Sequence, residues 1–415
     1  MMATATNDEL LRGYLEATRI VDTSFEASQD VRAAYDATFS FCVRYFQLAA
    51  ETPSLCVTYT AQAISETVRL ASGSPVVIYD HNQGVTNLTM NQLVHEDRGS
   101  SRVARLLLRI ARAALLSEGA AAEAHRITQV LTMGSADEDA RLASVARRPA
   151  DDAARSAYQV SFIVAHELAH LALERGTLPD EWARSVNDAF DAVAANGLEL
   201  WPDPVVDDVE ADRFAGYEAL LGRSRAQELL ASIGRPELGD ESIRAVHAGL
   251  PERLALHPQL REEAICDFAA SVAVMTAFNP PPTLALPDLL LALANHSTLA
   301  MMRERLARRD VARAASNAQW SAQPALPIAM RGWILFRMWQ DLIRRNESDD
   351  TVRTFGGYVV TLRERHDRLV RSVADALSVW IETIRRESDP DERCATVSMA
   401  AERREVVSDM RSSRG

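Results

Sequence analysis

Two histidines and a glutamate form the pattern in this sequence with the clearest chemical meaning. They make up an HExxH motif, which begins with His166 and Glu167 and ends with His170. Residues four apart lie nearly above one another on an α-helix, so both imidazoles can reach a single metal ion. Glu167 lies beside that ion, where a carboxylate can accept a proton from metal-activated water. The pattern therefore predicts zinc bound by His166 and His170, with Glu167 as the general base.

The setting of the motif argues against a chance occurrence. The chain has 9 histidines in 415 residues, so HExxH would arise by chance in about one such chain in a hundred. The flanking residues 162–165 and 171–173 are apolar. Burying two histidines and a glutamate among such residues is costly without a partner, and a metal ion is the usual one. The alternative, a solvated helix face or a satisfied pair of core histidines, is disfavoured by these flanks.

The helix that carries the motif can be delimited from the sequence around it. Asp151 or Asp152 can cap its amino end, and Gly176 followed by Pro179 ends it. Between these positions the residues are apolar almost all round, as in a helix that is buried on every side. We therefore expect the motif to lie inside a domain core.

Catalytic zinc usually has three protein ligands, so one more ligand is expected. The next candidate helix begins at Asp203-Pro204, with aspartate as the N-cap and proline in the first helical position. Asp208 and Asp212 share one face of this helix, whereas Glu210 points roughly the opposite way. Asp208 is the predicted third ligand, and Asp212 could accept the ring N–H of a ligating histidine. The alternative is an acidic, solvated first turn that complements the helix dipole.

These residues resemble a known group of enzymes. HELAH followed by a helix with an ExxAD-like sequence is similar to the gluzincin metallopeptidases, particularly the HtpX-like and CAAX-protease family and the ImmA/IrrE-like family. In that pattern the first acidic residue of the second motif is the third zinc ligand, and the aspartate four residues on supports a histidine. The resemblance covers about residues 150–265 and assigns these roles to Asp208 and Asp212. The family's glutamate is an aspartate at position 208, so Glu210 in a distorted turn stays open as the third ligand.

The resemblance implies a zincin-like fold and a zinc-dependent endopeptidase that acts on a protein or peptide substrate. Gluzincins also need a donor to the tetrahedral oxyanion besides zinc. His257, Tyr217 and Arg213 are the candidates, and each has an ordinary structural role as its alternative. The segment Leu256-His257-Pro258 is also similar to the His-Pro that follows the second motif in several HtpX-like sequences.

The rest of the chain predicts a mainly α, α+β fold with a small β-hairpin or sheet edge. Residues 75–79 form a β-type run, residues 81–84 have turn chemistry, and a more polar, strand-like stretch follows. A hairpin is therefore predicted near residues 74–96. In metallopeptidases of the resembled type a strand at the cleft edge binds the substrate backbone, and the hairpin could serve that role or be purely structural.

Polar and proline-rich segments divide the chain into regions. Residues 132–154 read as a linker, and prolines interrupt the sequence at 280–282. Trp333, Phe336 and Trp339 have helical spacing and are expected in a core or an interface. The predicted regions are a helical N-terminal region at 1–131, a zincin-like metallopeptidase core at 150–278, a helical C-terminal region at 283–390 and a charged tail at 391–415.

Composition and charge narrow the expected partners. The formal net charge is −13, which disfavours nucleic acid or an anionic membrane surface as a partner. The most apolar stretches, residues 264–279 and 283–302, are interrupted by charged residues or proline, so membrane insertion is not expected. Four scattered cysteines without a CxxC pair, together with the lack of a signal peptide, favour the cytoplasm.

Two further functions remain open at this stage. A zinc-binding but latent or degenerate protease could act as a regulatory or interaction protein, and the aspartate at 208 favours this slightly. Such a cleft would be plugged by residues of the same chain. Hydrolysis of a non-peptide amide is the second alternative, as in deformylases with HExxH. Those enzymes use a cysteine ligand, and no cysteine lies near the predicted second motif.

Overall fold

The computed structural model describes the motif helix and elements from both halves of the chain that pack around it. The described residues are 6–19, 21, 25–60, 63–96, 111–112, 115, 124–125, 127, 150–196, 259–280, 282–307, 325–346, 355–359, 362 and 365–366. Within them the fold is mostly helical with one small sheet, which confirms the predicted fold class at this level. The structural elements below are numbered within this part of the chain.

Eight α-helices, one short 3-10 helix (Ala49–Glu51) and three strands have defined bounds within the described residues. The helices are α1 (Asn7–Thr18), α2 (Gln29–Tyr45), α3 (His81–Glu96), α4 (Ala150–Arg175), α5 (Asp180–Asn196), α6 (Gln259–Phe278), α7 (Pro282–Ala307) and α8 (Ala325–Asn346). The strands are β1 (Ser54–Thr58), β2 (Glu66–Arg69) and β3 (Pro75–Asp80). The HExxH motif therefore lies in the second half of α4.

The sheet has the order β1-β3-β2, with β3 in the centre. β1 runs parallel to β3, with Ser54 opposite Val76, whereas β2 runs antiparallel to β3, with Glu66 opposite Ile78. All six residues of β3 are buried, as expected for a central strand with an apolar sequence. β2 pairs only with β3 among the described strands, so it forms an edge of the sheet.

The strand over Pro75–Asp80 is confirmed, but the predicted hairpin near 74–96 is wrong because α3 follows directly. Asp80 explains the difference. Its carboxylate accepts a hydrogen bond from the Asn82 N–H at 3.0 Å, which caps the amino end of a helix. Gly84 gives α3 room against the strand, since a Cβ atom there would lie 2.4 Å from Oη of Tyr79. Residues 81–84 therefore begin a helix rather than turn a hairpin.

The motif helix ends where the sequence predicts. Gly176 has a φ of +65°, which glycine adopts without strain. Its N–H donates to the Leu173 carbonyl at 3.0 Å, and the Thr177 N–H donates to the Ala172 carbonyl at 2.9 Å. This pair of bonds is a Schellman motif. At the other end α4 begins at Ala150, which puts Asp151 and Asp152 in the first turn rather than at the cap position as predicted.

Helix α4 lies at the centre of the helical layer. It packs against α6, α2 and α7, and α6 in turn packs against α8 and α5. The predicted break at the prolines is confirmed, because α6 ends at Phe278 and α7 begins at Pro282. No helix of the described residues is long and apolar enough to cross a membrane.

The aromatic spacing in α8 marks a core face, as predicted for Phe336 and Trp339. Trp339 is buried and its indole N–H donates to Oγ of Ser271 at 2.9 Å, which ties α8 to α6. Phe336 packs against the same core. Helix α8 is thereby held against the helix that, together with α4, forms the site described below.

A buried carboxylate organises the junction between the sheet and α3. Asp80 is fully buried and accepts hydrogen bonds from the backbone N–H groups of Thr60, Ile64 and Asn82 and from the Thr60 hydroxyl. Removing the Asp80 carboxylate would leave all four of these hydrogen-bond donors without their acceptor. Leaving buried donors unpaired costs about 1–3 kcal/mol each, less any compensation by water.

We predict that Asp80→Ala lowers the free energy of unfolding by about 2–4 kcal/mol, because these donors are left without an acceptor. Urea denaturation followed by circular dichroism measures the change. Asp36→Ala is the matched control, since Asp36 is exposed on α2 and should change stability by less than about 0.5 kcal/mol. Equal unfolding midpoints for the two variants would contradict the role of Asp80.

Candidate metal centre

The two histidines of the motif direct their ring nitrogens to one point. Nε2 of His166 lies 3.2 Å from Nε2 of His170, and the two rings are perpendicular, at 88°. Tetrahedral zinc with bonds of about 2.0–2.1 Å would separate two ligand nitrogens by about 3.3–3.4 Å. The spacing of the imidazoles is therefore that of two ligands of one ion.

A third candidate ligand comes from α6. Oε2 of Glu263 lies 3.3 Å from Nε2 of His166, and Oε1 lies 3.6 Å from Nε2 of His170. These three residues form a group whose ligand atoms all lie within 4.8 Å of one another. Two imidazoles and one carboxylate are a donor set that zinc takes in hydrolytic sites. The residues present therefore fit a divalent metal ion.

The predicted second motif lies outside the described residues, so Asp208, Asp212 and Glu210 are not placed. The candidate oxyanion donors Arg213, Tyr217 and His257 also lie outside them.

Glu263 and Asp267 were not singled out by the sequence analysis. They are four residues apart in α6, which is the same spacing as between Asp208 and Asp212. A search for every pair of acidic residues at this spacing in an apolar helix could have found them. Such a search cannot choose between the two pairs, because both satisfy it.

Asp267 supports the first histidine from behind. Its Oδ1 lies 2.9 Å from Nδ1 of His166, on the side of the ring away from the other ligands. The contact is an ion pair rather than a well-aligned hydrogen bond. A carboxylate in this place fixes the orientation of a ligating imidazole and raises its basicity.

Arg331 of α8 joins the two acidic residues. Its Nε and Nη2 donate to the two oxygens of Asp267, both at 2.7 Å, and Nη1 lies 2.8 Å from Oε2 of Glu263. The guanidinium is almost completely buried, with 5% of the side chain exposed. Two carboxylates facing one guanidinium leave one negative charge over, which either a protonated His166 or a bound cation balances.

The second histidine has a different neighbour. Sγ of Cys266 lies 3.5 Å from Nδ1 of His170, so the thiol contacts the ring on the side away from Nε2. Cys266 is fully buried, and burial raises the pKa of its thiol well above the usual value. It therefore stays a neutral thiol that packs behind His170, outside the group of three ligand atoms.

Burial and neighbouring charges together set the pKa of each ionisable group in the site. Burial raises the pKa of Glu167 to about 6. Burial and the neighbouring His166 lower the pKa of His170 to about 4, so its ring is neutral at pH 7. Burial also lowers the pKa of His166, but Asp267 and Glu263 outweigh this and raise it to about 10. Although burial opposes ionisation, Arg331 holds the pKa of Glu263 well below its usual range.

The edge strand β2 runs along the motif helix. The Thr67 hydroxyl donates to the backbone carbonyl of Glu167 at 2.8 Å, and Nη2 of Arg69 lies 2.7 Å from Oε2 of Glu174. Between this strand and helices α3, α4, α7 and α8 lies a cavity of about 420 Å³. The side chains of the three ligands and of Glu167 line it. A molecule in the cavity would therefore lie beside both the metal ligands and the edge strand.

We predict that Glu263→Gln weakens zinc binding by more than about a hundredfold, beyond the usual effect of losing a supporting residue. The amide is neutral and is a poor ligand for zinc. Competition with a fluorescent chelator measures the affinity. Glu262→Gln is the matched control, because Glu262 is exposed and adjacent in sequence. Equal affinities for both variants would rule out Glu263 as a ligand.

Zinc binding should also release protons at pH 8. In the metal-free protein His166 is protonated, since its pKa is about 10, and His170 is neutral. A ligating imidazole must be neutral, so binding expels about one proton from His166. In Asp267→Asn this pKa falls and the release should decrease. Calorimetry in two buffers of different protonation enthalpy measures the difference, and equal release by both proteins would refute this assignment.

Comparisons with known proteins identify no relative of this chain. No protein-family model, no curated protein and no solved structure matches this chain. The functional interpretation therefore depends on the geometry of the site. The part that the structure establishes is a group of two histidines and one glutamate that could hold a metal ion.

Proposed function

We propose that this chain is a zinc-dependent endopeptidase with Glu167 as its general base. One observation carries the proposal: three ligand atoms from His166, His170 and Glu263 converge in a cavity whose wall includes Glu167. The spacing of Glu263 and Asp267 is also that of the ligand and its supporting aspartate in the gluzincin pattern that the sequence resembles.

Each group around the site has a role in this reaction. Zinc in such a site supplies Lewis acidity, which makes a water molecule acidic near neutral pH and polarises a carbonyl group. Glu167 accepts the proton of the attacking water and delivers it to the leaving amine. Its pKa of about 6 is close to neutral, where a carboxyl group can both take up and release a proton.

The unpaired side of the edge strand β2 is the reason to propose a peptide as the substrate. β2 leaves one side without a partner strand among the described residues, and the unpaired N–H and C=O groups of an edge strand can bind an extended peptide. Thr67 fixes this strand to the carbonyl of Glu167. A peptide paired with β2 would therefore place a backbone carbonyl near the metal ligands. β2 takes the role that the sequence analysis gave to the hairpin near 74–96.

A donor to the substrate carbonyl oxygen is also available. Nη2 of Arg331 lies 3.4 Å from Nε2 of His166, so a cationic donor lies beside the candidate ligands. A guanidinium at this distance can stabilise negative charge that develops on the oxygen. Since Arg331 also holds Glu263 and Asp267, its loss would affect both metal binding and catalysis.

The latent-protease alternative predicts a cleft plugged by the chain itself. Among the described residues the cavity beside Glu167 is open, with a volume of about 420 Å³. Within this part of the chain the plug that the alternative expects is not found. The amide hydrolase with a cysteine ligand is also disfavoured, because Cys266 faces Nδ1 of His170 and not the ligand atoms.

We predict that Glu167→Gln abolishes peptide cleavage, with a loss of at least about a hundredfold, while zinc remains bound. New amino termini in cells that carry the wild-type protein or this variant reveal the substrate and the activity together. Glu262→Gln is the control, since Glu262 is exposed and does not line the cavity. Identical sets of new termini for wild type and Glu167→Gln would overturn the proposed function.

A further inference from the structure

The hydrogen-bonding direction of the edge strand β2 follows from its pairing with β3. Leu70, directly after the strand, donates its N–H to the Ser74 carbonyl at 3.0 Å, so its backbone groups face β3. This direction alternates from one residue to the next in an antiparallel pair. Arg69 lies opposite Pro75, which has no N–H to donate. The N–H and C=O groups of Thr67 and Arg69 therefore point to the free side of the strand.

The cavity lies along this free side. Glu66 and Thr67 are adjacent, so their side chains point to opposite faces of the sheet, yet both residues line the cavity. A cavity in contact with both lies at the open edge of the strand, since β3 occupies the other edge. No backbone group of the described residues pairs with Thr67 or Arg69 on this side. An extended peptide can therefore pair with the strand from the cavity.

At the amino end of β2 a side chain already bonds to the free side. Ser65 is two residues before Thr67, so its N–H also points away from β3. Oε1 of Gln83, on α3, accepts this N–H at 2.8 Å. The Gln83 carboxamide therefore takes the place where a further residue of a paired peptide would bond to the strand.

The same contact fixes the orientation of the carboxamide. Because Oε1 accepts the Ser65 N–H, the NH2 group lies on the other side of the amide. Nε2 of Gln83 donates to no group in the part of the chain that the structure describes, and it is not one of the buried atoms without a partner. This nitrogen is therefore accessible. Since Gln83 is 8% exposed and lines the cavity, a ligand in the cavity can reach the donor.

A carboxamide NH2 group requires an acceptor on the ligand. A peptide that pairs with Thr67 has its next strand-facing carbonyl two residues away, about 6.6–6.8 Å along the chain, beside Ser65. The Ser65 N–H is already bonded to Gln83, but Nε2 of Gln83 can donate in its place. The carboxamide then continues the hydrogen-bond ladder from the strand to the peptide.

The charges around the cavity favour a neutral acceptor over an anion. Among the described residues that line it, two carry guanidinium groups and four carry carboxylates, namely Glu66, Glu167, Glu174 and Glu263. A divalent ion at the metal ligands would balance this difference without leaving positive charge for an anionic ligand, and an uncompensated buried charge is costly. A main-chain carbonyl is neutral, and a peptide of any sequence supplies it.

We propose that Gln83 is a substrate-binding residue whose amide N–H donates to a main-chain carbonyl of a peptide paired with β2. The contact fixes the register of the peptide relative to the metal ligands, because the carboxamide ends the free side of the strand. It acts equally on peptides of different sequence. This inference rests on the proposed function, since it assumes that the cavity binds a peptide.

A random mixture of capped decapeptides, made of uncharged residues, tests the contact by binding to zinc-loaded Glu167→Gln. Adding Gln83→Met removes the donor and should weaken binding about three- to tenfold, by a similar factor for all sequences. Gln83→Glu keeps an oxygen for the Ser65 N–H but has no hydrogen to donate at pH 8.5, and it should weaken binding at least as much. Ultrafiltration with mass spectrometry measures the bound fraction of each peptide. Val85→Met is the matched control, because Val85 is exposed on α3 and does not line the cavity.

A double-mutant cycle locates the contact on the peptide. In the strongest-binding decapeptide each peptide bond is replaced in turn by a trans alkene, which removes the carbonyl oxygen and the N–H but keeps the shape. One replacement should cost about three- to tenfold more with Gln83 present than in Gln83→Met or Gln83→Glu. Equal costs at every bond in all three proteins would overturn the contact. Undiminished binding by Gln83→Glu, or a loss confined to peptides with one particular side chain, would overturn it as well.

Cleavage by the wild-type protein separates this inference from the proposed function. Coupling between Gln83 and one peptide bond in the binding cycle, without any cleavage, would overturn only the proposed function. Cleavage of the mixture with equal kcat/KM by wild type and both Gln83 variants would overturn only the contact. The absence of both peptide binding and cleavage overturns both.

Discussion

The site depends on the buried interaction of Arg331 with Glu263 and Asp267. Two carboxylates one turn apart inside a helical core would repel each other and lose their hydration, and one guanidinium that contacts both offsets these costs. Removing one partner of such a buried group usually costs several kcal/mol, because the remaining charge stays unpaired. The position of α8 on α6 therefore stabilises the conformation in which Glu263 of α6 lies beside α4. The hydrogen bond from Trp339 to Ser271 strengthens this docking.

The same charges assign different roles to two histidines that look equivalent in the sequence. His166 has Asp267 behind its ring, whereas His170 has the neutral thiol of Cys266. The carboxylate makes His166 the more basic of the two imidazoles. Burial and the neighbouring His166 keep His170 neutral. Burial raises the pKa of Glu167 to about 6; Glu263 and Glu66 add to the rise, and the neighbouring His166 opposes it. One helix thus carries two candidate ligands and a buried carboxyl group whose protonation differs because their neighbours differ.

Local patterns predicted the parts of the site that a single helix determines. The HExxH spacing placed both histidines, and Gly176 marked the end of the helix. The start of α3 was missed because Asp80 acts as a cap only after the sheet has brought Thr60 and Ile64 to the same carboxylate. Glu263 was missed for a related reason. Its spacing to Asp267 is shared by other acidic pairs, and it is marked out by the packing of α6 on α4, which brings its carboxylate to both histidines.

The central claim is that one metal ion is held by two histidines and Glu263. Zinc-edge X-ray absorption of the reconstituted protein, wild type and Glu263→Gln, tests it most directly. The account predicts two imidazole nitrogens and oxygen ligands at about 2.0–2.2 Å in wild type, with no sulfur at about 2.3 Å. One oxygen should be lost or replaced in Glu263→Gln. A sulfur ligand, or identical spectra for the two proteins, would contradict the account.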